Sequence, residues 1–317
     1  MDRRALGIVS TLVGASLWGF SGTCSQFLLS NYAISSLFIT MVRMLGAGAL
    51  FLPVILVRHR ASLAEIVRDP WARKRFALFG IGGLYLSQIT YVIAIGYTNA
   101  GTATVLQSTS IVLIMLATCF VMRRRPRIGE LVGLMLAFLA TVLIATQGDV
   151  GAIRLPIAGL VWGLISAVAA AGYALFPKPL YPKWGSFTVV GLGMIIGGIV
   201  AAAVWALAFA FPGIDALASG GNAMGSALVP DLDVQGVIAL ATIAVVGTFG
   251  AFFLFLNGIS MVGPVQGSQL GAIEPVSATV CSALLMGTAF SIPDWIGLVL
   301  MVGTIVIVAA SGARSEE

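Results

Sequence analysis

In the run GSQLGAIEPVSATVCSALL, from Gly267 to Leu285, one carboxylate, Glu274, stands beside Pro275 among residues that are almost all small or apolar. A carboxylate there can carry a proton or face a solute. The proline removes one backbone hydrogen bond and bends a helix, so carbonyls one turn earlier can face a cavity. Arg43, in LFITMVRMLG, is the cationic counterpart in a second apolar run. Two roles are open to the pair. They can neutralise each other, or cap helix-end carbonyls, and so hold the fold. Alternatively one of them faces a substrate path.

Other polar and aromatic groups fall in the same kind of surroundings. In GGLYLSQITY, Tyr85, Gln88 and Tyr91 are spaced by three and share one helical face. Rings with polar tips can bind a flat apolar solute while hydrogen-bonding its ends. Tyr91 and Tyr97 approach a span end, where aromatic belts form, so they are expected at the interface. Trp18 lies beside Gly19 and Gly22 in mid-run, too deep for a belt. Gln107, Ser108, Gln266 and Gln269 are mid-run amides and a hydroxyl that need partners from neighbouring helices or from solute. The expected pocket residues are Trp18, Arg43, Tyr85, Gln88, Gln107, Gln269 and Glu274. Half-apolar aromatics with a few amides suit a neutral zwitterion.

What must position these groups follows from composition. Of 317 residues 59% are hydrophobic and 9% charged, with mean hydropathy +1.05. A soluble domain carries roughly 25% charged residues, so this chain is read as an integral membrane protein. Apolar runs of about 20 residues, the length a helix needs to cross a bilayer, recur ten times. They cover roughly 5–29, 34–57, 75–96, 101–122, 128–147, 156–176, 186–211, 234–257, 263–287 and 292–312. Barrel strands alternate with period two and are about half as long, so the fold class is all-α. At 1.5 Å per residue, Glu274 lies about 16 Å into the ninth run and Arg43 about 14 Å into the second. Both are near mid-depth in a core about 30 Å thick.

With the N-terminus inside, fifteen of the seventeen Lys and Arg fall in inside segments, including Arg314; Arg154 alone falls in an outside loop. That bias places both termini in the cytoplasm. The basic pI thus reflects membrane orientation and not a nucleic-acid partner. The outside loop Phe211–Asp233 has three aspartates and no Lys or Arg, and is expected to be a mobile loop or a short surface helix.

A shift of 164 lays Ile128–Ala145 over Ile292–Ala309 with identities at Ile128/Ile292, Gly133/Gly297, Leu134/Leu298, Leu136/Leu300, Val142/Val306 and Ala145/Ala309. Glu130 and Asp294 keep an acid near each start. Two five-helix halves, 1–150 and 151–317, follow. Five is odd, so the second half starts on the opposite side and the halves are inverted copies. Secondary transporters are built this way, with the site at mid-membrane between repeats.

Leu17-Trp18-Gly19, Arg43, Glu274-Pro275 and the acid-plus-Gly starts of the fifth and tenth helices resemble tandem EamA units of the drug/metabolite transporter superfamily. Within it the chain is similar to bacterial exporters of aromatic amino acids. The resemblance implies a ten-helix bundle in the inner membrane that works by alternating access. It implies a small-molecule substrate, with multidrug, metabolite or threonine-type export as the alternative. Such units often end their fourth helix with an acid; here those places read Met122-Arg123 and Met286-Gly287.

Other classes lack their parts. The single histidine, His59, lies between arginines in a loop, and there is no HExxH, Gly-x-Ser-x-Gly or Walker loop. An enzyme is not expected, nor a cofactor or metal. A channel would want a continuous polar stripe, and the polar positions here are isolated. Cys24, Cys119 and Cys281 sit inside apolar runs, an odd set that forms no disulfide framework. Lipid is the expected surroundings; the sequence does not specify an oligomeric state.

Overall fold

The structure, a computed structural model, describes residues 3–58, 60–149, 153–222 and 224–313. His59, Arg314 and the boundary between Val150 and Gly151 lie outside the described residues. The described chain is all helix and connection. In order the helices are α1 (Arg3–Asn31), α2 (Ser36–Arg58), α3 (Arg60–Arg68), α4 (Pro70–Tyr97), α5 (Ala100–Val121), α6 (Ile128–Thr146), α7 (Ile157–Leu175), α8 (Tyr181–Ala210), α9 (Pro212–Ser219), α10 (Val234–Val262), α11 (Pro264–Leu270), α12 (Ile273–Met286) and α13 (Ile292–Ala313). Eight of them, α1, α2, α4 to α8 and α10, are long and apolar enough to cross a membrane; α12 and the apolar stretch Ile292–Val308 of α13 are shorter. Their apolar side chains are exposed around the outside, as on Phe138, Val168, Ile199 and Val299, where a bilayer, not water, is the favourable solvent.

The helices pair reciprocally. Helix α1 packs against α10 and α12, while α7 packs against α4 and α5; α2 pairs with α8, and α6 with α13. The α6–α13 contact gives the sense of the pairing. Gly133, near the start of α6, sits against Thr304 and Val308 near the end of α13; Gly297, near the start of α13, sits against Ala140 and Ile144 near the end of α6. The two helices are therefore antiparallel. Every partner maps onto its counterpart by the shift of 164. Glycine is needed at both crossings because a β-carbon would overlap the facing side chain.

The same shift relates other irregular features. A π-helical turn over Leu78–Tyr85 in α4 is matched by one over Val245–Gly250 in α10. The left-handed residue that ends α5, Arg123 (φ 50°), is matched by Gly287 (φ 64°) after α12. Glu130 accepts from the Arg127 N–H (2.7 Å) as Asp294 accepts from the Ser291 N–H (2.9 Å), each capping its helix start.

One expectation needs correction. The ninth run is not one helix: α11 and α12 are separated at Gly271-Ala272, where the Ala272 N–H bonds Gln269 O (3.1 Å) and the Glu274 N–H bonds Gly271 O (3.0 Å) in tight turns. Pro275 then falls in the first turn of α12, where its missing N–H removes no intrahelical bond. The interruption thus precedes the proline. Helix α5 is pinched at Thr109, whose N–H bonds Leu106 O at 3.1 Å; Thr109 stands 164 residues before Ile273, where α12 begins. The outside loop takes the second of its two expected forms, the short helix α9, and is tied down. Asp215 of α9 accepts from Ser35 (2.5 Å), Ser219 (3.1 Å) and Ser226 (2.7 Å), and Asn222 donates to Ile34 O (2.6 Å).

Candidate functional site

A cavity of about 230 Å³ lies mid-span, enclosed by α1, α2, α4, α5, α7, α10 and α12. Each half supplies walls. Helix α1 brings Trp18. Gly19 beside it fits against the Glu274 carbonyl and Ser277 with no room for a β-carbon, and Ser277 donates to Ser16 O at 2.7 Å. That close approach sets Trp18 and Glu274 on the same cavity. Because α12 starts one residue earlier, Glu274 lies in its first turn, where the helix dipole favours a negative charge.

Arg43 reaches the cavity from α2. It is 3% exposed. Its Nε donates to Thr248 Oγ1 at 2.9 Å, and Thr248 donates in turn to Ile243 O at 2.8 Å, five residues back across the π turn of α10. Thr248, within the π turn, thus holds the Nε side of the guanidinium. Its Nη1 is buried with no hydrogen-bond partner. Buried donors are almost always satisfied, and an unsatisfied charged one is costly. No ion pair joins Arg43 to Glu274, and no hydrogen bond to the Glu274 carboxylate is found among the described residues. Of the roles open to the pair, direct neutralisation in a salt bridge is not the one seen: both side chains line one cavity without a bond to each other.

The rest of the wall is aromatic and amide. Trp18 packs against Phe252 (ring centroids 4.8 Å apart) and Phe255 (4.6 Å), and Phe252 meets Tyr173 edge-on at 6.2 Å. Gln107 Nε2 lies 3.5 Å from Ser87 Oγ, and Gln88 faces the same space. Tyr91 is 5% exposed and shares a 2.7 Å hydrogen bond with Thr104. It lines the cavity, a correction to its expected place in an interfacial belt.

Five of the seven expected residues, Trp18, Arg43, Gln88, Gln107 and Glu274, line the cavity together. Tyr85 and Gln269 are not among the lining residues. Tyr85 ends the π turn of α4; its spacing puts it about 120° around the helix from Tyr91, and it packs in the core beside Gly197 of α8. Gln269 lies on α11, before the break, on a helix packed against α13, α10 and α1. Ser87, Ser110, Tyr173 and Phe252 line the cavity without having been singled out in the sequence. The repeat carries a signal for two of them: Ser110 is 164 residues before Glu274, and Phe252 is 164 after Gln88. Among the described residues no cluster of His, Cys, Asp and Glu could hold a metal ion.

The fold and cavity define a multi-pass membrane protein of transporter type. The chain belongs to the EamA-like transporter family, within the drug/metabolite transporter superfamily, matching it twice in tandem, over residues 5–146 and 157–310. It is 31% identical over 314 residues to an uncharacterized inner membrane transporter, YicL, of Salmonella typhimurium, covering 99% of this chain and 98% of the relative. It is 24% identical over 309 residues to an uncharacterized transporter of Bacillus subtilis, YwfM, covering 96% and 94%. A crystal structure superposes with a TM-score of 0.62 at 18% identity over 98% of this chain and 99% of that one, a likeness of fold.

Proposed function

We propose that the chain is an inner-membrane secondary transporter that exports small organic solutes, aromatic amino acids foremost, by alternating access. The observation that carries this reading is the mid-span cavity in which Arg43 and Glu274 are both present and unpaired with each other. A zwitterion supplies both missing partners: its carboxylate meets the free Arg43 Nη1, and its ammonium meets the Glu274 carboxylate. The indole or phenyl ring then lies among Trp18, Tyr173 and Phe252. Arg43 Nη1 is already buried without a partner in the empty cavity, so a bound carboxylate offsets a desolvation cost that the empty site carries, which favours the bound state.

The architecture we infer is ten spans in two inverted five-helix repeats, 1–150 and 151–317, with both termini cytoplasmic. The antiparallel, 164-shifted crossing of α6 and α13 supports inversion, and the distribution of Lys and Arg supports the orientation. Alternating access is then a rocking of one repeat against the other about the cavity. The test is purified protein in liposomes, loaded in turn with unlabelled tryptophan, phenylalanine, threonine or a dicationic dye, and given the labelled compound outside. Saturable counterflow of tryptophan and phenylalanine is the expected result. Counterflow of the dye alone would overturn the substrate assignment, and flux without saturation would indicate a channel.

A further inference from the structure

We propose that the turn between α5 and α6 binds the headgroup of an anionic phospholipid. A cavity of about 650 Å³ opens there, lined by Leu116, Cys119, Phe120, Arg123, Arg124 and Pro126 among others. Its chemistry is divided. Phe120 and Val121, 85% and 79% exposed, project from the last turn of α5, while Arg123 and Arg124 close the other side. Arg124 is held as a two-pronged pair by Glu130 at 2.6 and 2.8 Å, so its guanidinium has a fixed direction. Arg123 and Arg125 are exposed. With Arg127 the segment carries four arginines against that one carboxylate and remains net cationic.

The turn has a twin with which to compare it. Helix α5 ends with the Arg123 N–H bonded to Phe120 O (3.2 Å) and the Arg124 N–H to Cys119 O (3.0 Å), a Schellman arrangement that requires a left-handed residue. The second half fills that place with Gly287, which adopts it without strain, and Gly287–Ser291 contains no charge. The first half places an arginine there at φ 50°, a conformation unfavourable to any residue with a β-carbon. A general surplus of basic residues on one side of the membrane does not need a cation at the strained position; a site that must aim one does. Phosphate chemistry matches the arginine fork, and the exposed apolar rim selects a phosphate that carries acyl chains. Basic pockets between transmembrane helices bind such headgroups.

The test uses the full chain purified in detergent, titrated separately with phosphatidylglycerol, phosphatidylcholine and soluble glycerol phosphate, with bound molecules counted by native mass spectrometry. Wild type is expected to retain phosphatidylglycerol over both others. R123Q/R125Q should weaken that binding about tenfold or more, and R58Q/R68Q, which removes equal charge at α2 and α3, should leave it unchanged. R123G should weaken lipid binding about fivefold while its thermal midpoint in lipid-free detergent stays equal or rises, because backbone strain is relieved. This variant carries the test if the double variant does not fold. Wild-type binding by R123Q/R125Q or by R123G would overturn the proposal. So would equal losses in R58Q/R68Q, equal retention of phosphatidylcholine, or glycerol phosphate bound as tightly as the lipid.

Discussion

The two halves of the molecule use one scaffold and load it differently. Helices α6 and α13 cross through twin glycines, Gly133 and Gly297; α4 and α10 carry twin π turns; α5 and the pair α11–α12 are interrupted at the same register. At the cavity the likeness stops. Gln88 stands where the second half has Phe252, and Ser110 stands where it has Glu274. Backbone interruptions in both halves open the space, and the side chains placed at them differ, so that one half contributes a carboxylate where the other contributes a hydroxyl. Repetition explains the shape; departure from repetition explains the chemistry.

That contrast can be broken most severely at Arg43. Arg43→Ala leaves Glu274 as the only charge in the cavity, and exchange of tryptophan in liposomes should fall about 100-fold or more. Arg43→Lys keeps the charge but not the fork held by Thr248, and should retain an intermediate rate. Wild-type exchange by correctly inserted Arg43→Ala would remove this residue from the mechanism.

Next comes the acid. Glu274→Gln should lower exchange roughly 10- to 100-fold. The sharper version moves the group to its twin position. If the cavity is shared symmetrically by the two registers, S110E/E274S should recover a measurable part of the activity that E274S alone loses. No recovery would mean that the carboxylate needs the start of α12 in particular.

The scaffold offers an effect of intermediate size. Gly133→Leu and Gly297→Leu each push a side chain into the facing helix, against Val308 and Ile144 respectively. Each should destabilise the protein by about 1–3 kcal/mol, to similar extents, as read from thermal melts in detergent. Unequal losses would weaken the twin relation.

The smallest effect lies outside the cavity. The Tyr32 hydroxyl donates to Asp233 at 2.5 Å and the Gly236 N–H adds a second bond at 2.9 Å. First the tyrosine and then the backbone donor hold the Asp233 carboxyl below the usual carboxylate range. A depressed value means the link stabilises above the unfolded-state pKa, about 4, and is lost as pH falls through the folded value. Acid unfolding of wild type should therefore show a slight loss at low pH that Asp233→Asn does not. Identical acid profiles would show that the link is inert.

Much of this was legible in the sequence for physical reasons. Arg43 and Glu274 stand out because a charge is expensive in an apolar run, and both do line the cavity. The repeat is visible in six identities over Ile128–Ala145 and Ile292–Ala309, one of which, Gly133/Gly297, marks the close crossing of α6 and α13. The helix interruptions were not legible. Thr109 and Gly271-Ala272 are unremarkable inside a helix, and Pro275 pointed downstream of the real break. Nor do the π turns announce themselves in Leu78–Tyr85 or Val245–Gly250, and nothing in the spacing separates Tyr85, which packs in the core, from Tyr91, which lines the cavity. Tyr173 carried no signal at all, since nothing in AGYALF separates a cavity-facing tyrosine from a packed one.

The most direct measurement compares three ligands with the same ring and different charges: tryptophan, tryptamine and indole-3-propionate, each offered for counterflow against labelled tryptophan in liposomes containing the wild-type protein. Arg43 and Glu274, left unpaired with each other, require both ends of the zwitterion, so only tryptophan should drive exchange at a substantial rate. Exchange driven equally well by tryptamine or by indole-3-propionate would contradict the assignment of the two charges to the substrate.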